Sequence, residues 1–158
     1  MLDHVNIVVR DIERSAAFYT QALGLRRGFE RILEGPWIEA LTGLREVRAQ
    51  CLFLESPAGG ARLELLRFLA PSSLILEAHG CPNAIGVRHI AWQVADVDEV
   101  AARLRQAGAE LLCEPVEVPF EVASLGRKRL CYARDPDGVL IEIASYRRGP
   151  AALAASDC

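Results

Sequence analysis

Residues 4–24, HVNIVVRDIERSAAFYTQALG, and residues 89–108, HIAWQVADVDEVAARLRQAG, follow one pattern, and their likeness decides the fold. At a fixed offset of 85, His4 meets His89, Val9 meets Val94 and Asp11 meets Asp96. Ala16, Ala17, Gln21 and Ala22 likewise meet Ala101, Ala102, Gln106 and Ala107. Seven identities in nineteen ungapped positions mark an internal repeat. Each copy begins with a β-branched or apolar run, continues through an Asp suited to an N-cap, and ends in an Ala-rich amphipathic stretch that stops at Gly24 or Gly108. A strand followed by a helix is expected twice. Asp96 and Glu99 have the spacing of a capping box.

A second correspondence closes each half. Gly60-Ala-Arg-Leu-Glu64-Leu-Leu matches Gly138-Val-Leu-Ile-Glu142-Ile-Ala at an offset of 78, so each half ends on an apolar strand interrupted by one carboxylate. Asp135-Pro-Asp-Gly138 is a turn leading into the later copy. Further strands are expected near 48–55 and 62–68, and near 111–114, 128–134 and 139–146. The smaller offset leaves seven extra residues in the first half, assigned to a loop or short helix around Glu34–Arg48. The reading is an α+β fold of two tandem βαβββ modules, 2–70 and 87–146, joined by a linker at 71–86. Together they make one domain, 1–146, and the Ala-rich segment 147–158 is expected to be a frayed tail.

Composition agrees with one globular domain: 158 residues, 51% apolar and 25% charged, enough to bury roughly 70% of the extended surface. A net charge of −3 offers no basic footprint for nucleic acid or anionic lipid. The opening MLDHVNIVV lacks the parts of a signal peptide, and no apolar run nears the roughly 18 residues of a membrane span, so a cytoplasmic protein is expected. Five scattered cysteines, without a CxxC pair, are expected to be small core residues plus one tail thiol, Cys158. Trp37 and Trp92 are expected in the core, and His79, which has no repeat partner, receives no role.

The chemistry lies in the repeated residues. Each half offers one His on its first strand and one Glu on its last, and a pseudo-twofold pairing would gather His4, Glu64, His89 and Glu142. Two imidazoles and two carboxylates suit a borderline divalent cation, balance its charge and leave positions open in an octahedral shell. A lone His at a strand start is usually structural. A lone Glu in an apolar strand is costly unless paired, and the repetition of both residues in register favours one metal site.

With LDHVNIVVRDIERSAAFYTQALGL, RLELLRF, GVRHIAWQVADVDEVAARLRQAGAELL and RDPDGVLIEIASY, the chain resembles the vicinal oxygen chelate superfamily over residues 2–146. That superfamily includes glyoxalase I, methylmalonyl-CoA epimerase, extradiol dioxygenases and bleomycin- or fosfomycin-resistance proteins. The resemblance implies a U-shaped, mostly antiparallel sheet around a divalent metal (Co, Ni, Zn, Mn or Fe) held at the positions of His4, Glu64, His89 and Glu142. It also implies a homodimer, a small-molecule substrate, and Glu142 as the base that takes an α-proton through an enediolate or enolate. Glu46 is a candidate for the opposite face. GVRHIAWQVADVD looks most like the epimerases, whereas the His-Glu-His-Glu set is similar to bacterial glyoxalase I. Val8 stands where a glutathione-dependent relative would place Arg, although Arg10, Arg62 or Lys128 could supply the charge. The competing reading is a protein that sequesters a small molecule.

Overall fold

Asp11 and Asp96 start the two long helices as their positions require. The Asp11 carboxylate accepts from the Arg14 amide at 3.0 Å, and Asp96 accepts from the amides of Asp98 and Glu99. Glu99 pairs with Arg103 one turn on, so the N-cap half of the expected capping box is what forms. Gly24 closes the first helix at φ 69°, the left-handed conformation a helix C-terminus commonly uses.

The computed structural model describes residues 1–76 and 80–147. The first half runs β1 (His4–Val8), α1 (Ile12–Leu23), β2 (Arg26–Glu34), α2 (Pro36–Thr42), β3 (Arg48–Glu55) and β4 (Arg62–Ala70). The second runs β5 (His89–Gln93), α3 (Val97–Gln106), β6 (Glu110–Leu111), β7 (Val116–Glu121), a 3-10 turn (Ala123–Leu125), β8 (Arg127–Arg134) and β9 (Leu140–Arg147). The expected βαβββ order holds in the first half, with α2 as the short helix of the extra segment. In the second half, the second strand of the module is split. Pro115 offers no amide to a ladder and steers its neighbour away from regular pairing, so β6 meets only the end of β8 while β7 pairs farther along.

The ladders form two sheets, one per half, ordered β1-β4-β3-β2 and β5-β9-β8-β6, with β7 also on β8. Each is mixed, because its first and last strands, β1 with β4 and β5 with β9, lie parallel. Helices α1 and α3 pack against each other, and one apolar cluster unites the halves through Ile12, Tyr19, Leu52, Leu65, Leu104, Ile141 and Ile143. Alternation along each strand points one set of side chains into this core and the other set to the opposite face of the sheet.

Trp92 packs against the core as expected, but Trp37 is 56% exposed on α2, a helix too short to cover it. Cys51 and Cys131 are buried, whereas Cys81 and Cys113 are exposed, so only half of the four described cysteines serve as core residues. Arg147 belongs to β9 rather than to the tail. His79 and residues 148–158 of the expected frayed tail fall outside the described residues. No helix among the described residues is long and apolar enough to cross a membrane.

Candidate metal centre

Strand register builds the same small site twice. On β1 and β4, His4 lies opposite Arg62 and Asn6 opposite Glu64; on β5 and β9, His89 lies opposite Leu140 and Ala91 opposite Glu142. In both halves the Glu therefore sits two residues beyond the position facing the His, on the same face of the sheet. The resulting distance is the same in each: Nε2 of His4 is 3.4 Å from Oε2 of Glu64, and Nε2 of His89 is 3.4 Å from Oε2 of Glu142.

Each pair offers one imidazole and one carboxylate donor at a spacing that ligation of a divalent ion allows. Metal bonds of about 2.0–2.2 Å from imidazole and carboxylate separate neighbouring donors by roughly 3–3.5 Å. The four expected ligands come together as two pairs, and among the described residues no group of three or more His, Cys, Asp or Glu is placed to hold an ion. The strands bearing the two histidines nevertheless line one cavity, bordered by Asn6 and Val8 from β1 and by His89 and Ile90 from β5.

The first pair is oriented by neighbours. Asp3 Oδ2 lies 2.7 Å from His4 Nδ1, and a proton held there leaves the Nε2 lone pair facing Glu64, the arrangement that metal-binding histidines use. The hydrogen bond from His4 and then the Arg62 guanidinium hold the Asp3 carboxyl below its usual range. Arg62 reaches Asp3 at 2.6 Å and lies over the Phe53 ring, which also meets the edge of His4. Glu64 accepts from Asn6 Nδ2 at 3.0 Å through Oε2 and from Cys51 Sγ at 3.2 Å through Oε1. Burial and the adjacent Glu64 push the Cys51 thiol up to about 12, so it remains a neutral donor.

The second pair is more enclosed. Glu142 is 4% exposed, and its Oε1 lies 2.5 Å from the Lys128 ammonium. Burial opposes the Lys128 charge, but the Glu142 carboxylate outweighs it and holds the ammonium above the ordinary lysine value. Tyr132 faces Glu142 across β8 and β9 and packs beside His89 at 5.2 Å; burial first, then the Glu142 charge, push its phenol up.

Glu46 lies exposed on the loop before β3, with its amide held by Glu39. The three cations considered as substitutes for an Arg at Val8 each have a carboxylate: Arg10 has Asp137, Arg62 has Asp3 and Lys128 has Glu142. Asp3, Asn6, Cys51 and Tyr132 receive no site role from the sequence. Alternation puts Asn6 on the strand face of His4 but does not show its hydrogen bond to Glu64, whereas Cys51 and Tyr132 reach the site only through the register of their partner strands.

Comparison with known proteins agrees with this architecture. The family model for the Glyoxalase/Bleomycin resistance protein/Dioxygenase superfamily matches residues 1–143. A Bacillus subtilis protein, YwkD, is 30% identical over 142 residues, covering 90% of this chain and 94% of its own. An ethylmalonyl-CoA/methylmalonyl-CoA epimerase of Cereibacter sphaeroides is 30% identical over 145 residues, with 90% and 95% covered. The crystal structure of a glyoxalase family protein from Bacillus cereus superposes with a TM-score of 0.82 at 32% identity, over 93% of this chain and 94% of that one. With its two βαβββ halves and a matching model over nearly its whole described length, this chain belongs to the Glyoxalase/Bleomycin resistance protein/Dioxygenase superfamily.

Proposed function

We propose that this chain is a divalent-metal-dependent isomerase or lyase that moves a proton next to a substrate carbonyl, in the manner of a methylmalonyl-CoA epimerase. The observation that carries the reading is the repeated His–Glu pair, with one register offset and one 3.4 Å separation in both halves. His4, Glu64, His89 and Glu142 would hold the ion. When bound, the ion supplies Lewis acidity to two neighbouring substrate oxygens.

The chain's own residues supply the rest. Glu142, alternating between ligation and proton acceptance through Oε2, takes the α-proton from one face of the substrate to give an enolate or enediolate. It can return that proton to the adjacent carbon, whereas epimerisation needs a second acid on the opposite face, a role for Glu64 or Glu46. Asn6 and Cys51 hold Glu64, Asp3 fixes the His4 ring, and the apolar wall of Phe53 and Tyr132 limits water. The epimerase relative at 30% identity favours a thioester substrate. A glyoxalase I-like isomerisation is the second reading, favoured by a carboxylate at Glu64. A homodimer is part of the proposal, supported by exposed apolar side chains at Phe29, Ile32, Leu74, Ile75 and Leu76.

The deciding experiment measures solvent deuterium incorporation into a 2-methylmalonyl thioester beside isomerisation of a glutathione hemithioacetal, with Co, Ni, Mn and Zn supplied in turn. Exchange in the thioester supports the proposal, and hemithioacetal turnover alone supports the second reading. Inactivity in both, with no metal retained, points to sequestration.

A further inference from the structure

The two halves differ at the carboxylate oxygen turned away from each histidine. Glu64 Oε1 meets the weakly donating thiol of Cys51, whereas Glu142 Oε1 meets an ammonium. The register of β8 against β9 puts Tyr132 opposite Glu142 and Lys128 opposite Tyr146, so Lys128 lies on the Glu142 face one strand over. Its side chain is 19% exposed and that of Glu142 5%, which shelters the pair from the screening that weakens surface ion pairs. The Lys128 ammonium also lies 5.9 Å from the Tyr146 ring centre. The carboxylate is held at both ends: Oε1 by Lys128, Oε2 beside Nε2 of His89.

An untethered carboxylate can turn both oxygens onto one divalent ion, and doing so would occupy a position that a chelating substrate needs. We propose that Lys128 is a positioning residue: by holding Oε1, it confines Glu142 to one-oxygen ligation through Oε2 and keeps the substrate's coordination position open. Cys51, a neutral and weak donor, does not restrain Glu64 in the same way. The inference rests on the metal-centre reading above.

The test uses the full chain loaded with Mn(II) and reads the water-proton relaxation enhancement per bound ion, which counts exchangeable waters. Lys128→Met removes the charge at similar length, Lys128→Arg retains it, and Lys128→Gln serves if Met is not tolerated. On the metal-centre reading, in which four protein donors would leave two positions of an octahedral shell open, closure of one of them lowers the enhancement by about half. The expected result is that fall in Lys128→Met or Lys128→Gln, with Mn(II) still bound and with Lys128→Arg near wild type. Unchanged relaxation in the neutral variants overturns the assignment, as does loss of Mn(II) in every variant, Lys128→Arg included, which would make the lysine merely structural. A wild-type protein that binds no Mn(II) removes the metal-centre reading itself, and this inference with it.

Discussion

The Tyr19 hydroxyl on α1 donates to Asp135 Oδ2 at 2.9 Å, joining the first half of the chain to the turn that feeds β9. Asp137 in the same turn accepts from the Arg10 amide, the Arg14 guanidinium and the Ser15 hydroxyl. This turn enters β9, the strand that carries Glu142, so the polar tie fixes the start of that strand against α1. Removing the Tyr19 hydroxyl leaves a buried acceptor with fewer donors, and Tyr19→Phe should cost about 1–3 kcal/mol of stability. Urea denaturation checks this, with an unchanged midpoint as the contrary result.

The same tie gives a pH dependence whose sign is fixed. Burial raises the Asp135 carboxyl above its ordinary value of 3.8, even though Val139, Tyr19 and Asp137 donate to it. A raised folded-state value means the native protein holds this proton more tightly than the unfolded chain, so its stabilising contribution is full below 3.8 and declines as pH rises through the folded value. Asp135→Asn cannot ionise and escapes that decline. Its stability relative to wild type should therefore increase as pH is raised from below 3.8 toward neutrality, as read from denaturation midpoints across that range. A difference that stays flat with pH would exclude Asp135 as the titrating group.

The metal reading predicts that His4→Ala and His89→Ala each sharply lower bound divalent metal, since removing one donor leaves an incomplete set. Asp3→Asn should weaken binding by roughly 10–100-fold, because the Asp3 carboxylate orients the His4 ring. Metal content after purification without chelators, followed by competition with a coloured chelator, measures all three. Full metal occupancy in His89→Ala would remove it from the ligand set.

Much of this was legible in the sequence, for identifiable reasons. The repeat places one His and one Glu in each half because both strands keep the alternation that sends these residues to one face. Helix starts at Asp11 and Asp96 follow from local chemistry. Partners across strands were not legible: nothing local to Lys128 names Glu142, fourteen residues away, and nothing near Cys51 names Glu64. The splitting of the second half's second strand at Pro115 and the exposure of Trp37 depend on how neighbouring elements cover them, which hydrophobic pattern alone does not encode.

Glu142→Gln tests the base. The amide oxygen can still accept from Lys128, which preserves the buried contact, but Gln cannot take up the substrate proton. Activity should fall by about 100-fold or more. The melting temperature should also fall because the buried Lys128 ammonium loses its counter-charge, so activity is compared in protein shown to be folded and metal-loaded at the assay temperature. An active, metal-loaded Glu142→Gln protein would move the base elsewhere, with Glu64 next in line.

The final prediction concerns the substrate and rests on Val8, which is 44% exposed on the β1 face that His4 and Asn6 share. A charged side chain there could grip a glutathione carboxylate with charge-assisted hydrogen bonds worth about 1.5–3 kcal/mol each. Valine offers none. Arg10, Arg62 and Lys128 already have carboxylate partners in Asp137, Asp3 and Glu142, so recruiting one of them for substrate would cost an existing ion pair. Since 1.4 kcal/mol is about one decade, the glutathione adduct should bind at least about tenfold more weakly than it would with an arginine at this position. Val8→Arg should therefore strengthen binding of S-substituted glutathiones by about that factor, measured by calorimetry, without altering metal content. If wild type already binds such adducts tightly and Val8→Arg adds nothing, another residue grips the carboxylate and the preference for a thioester over a glutathione adduct falls.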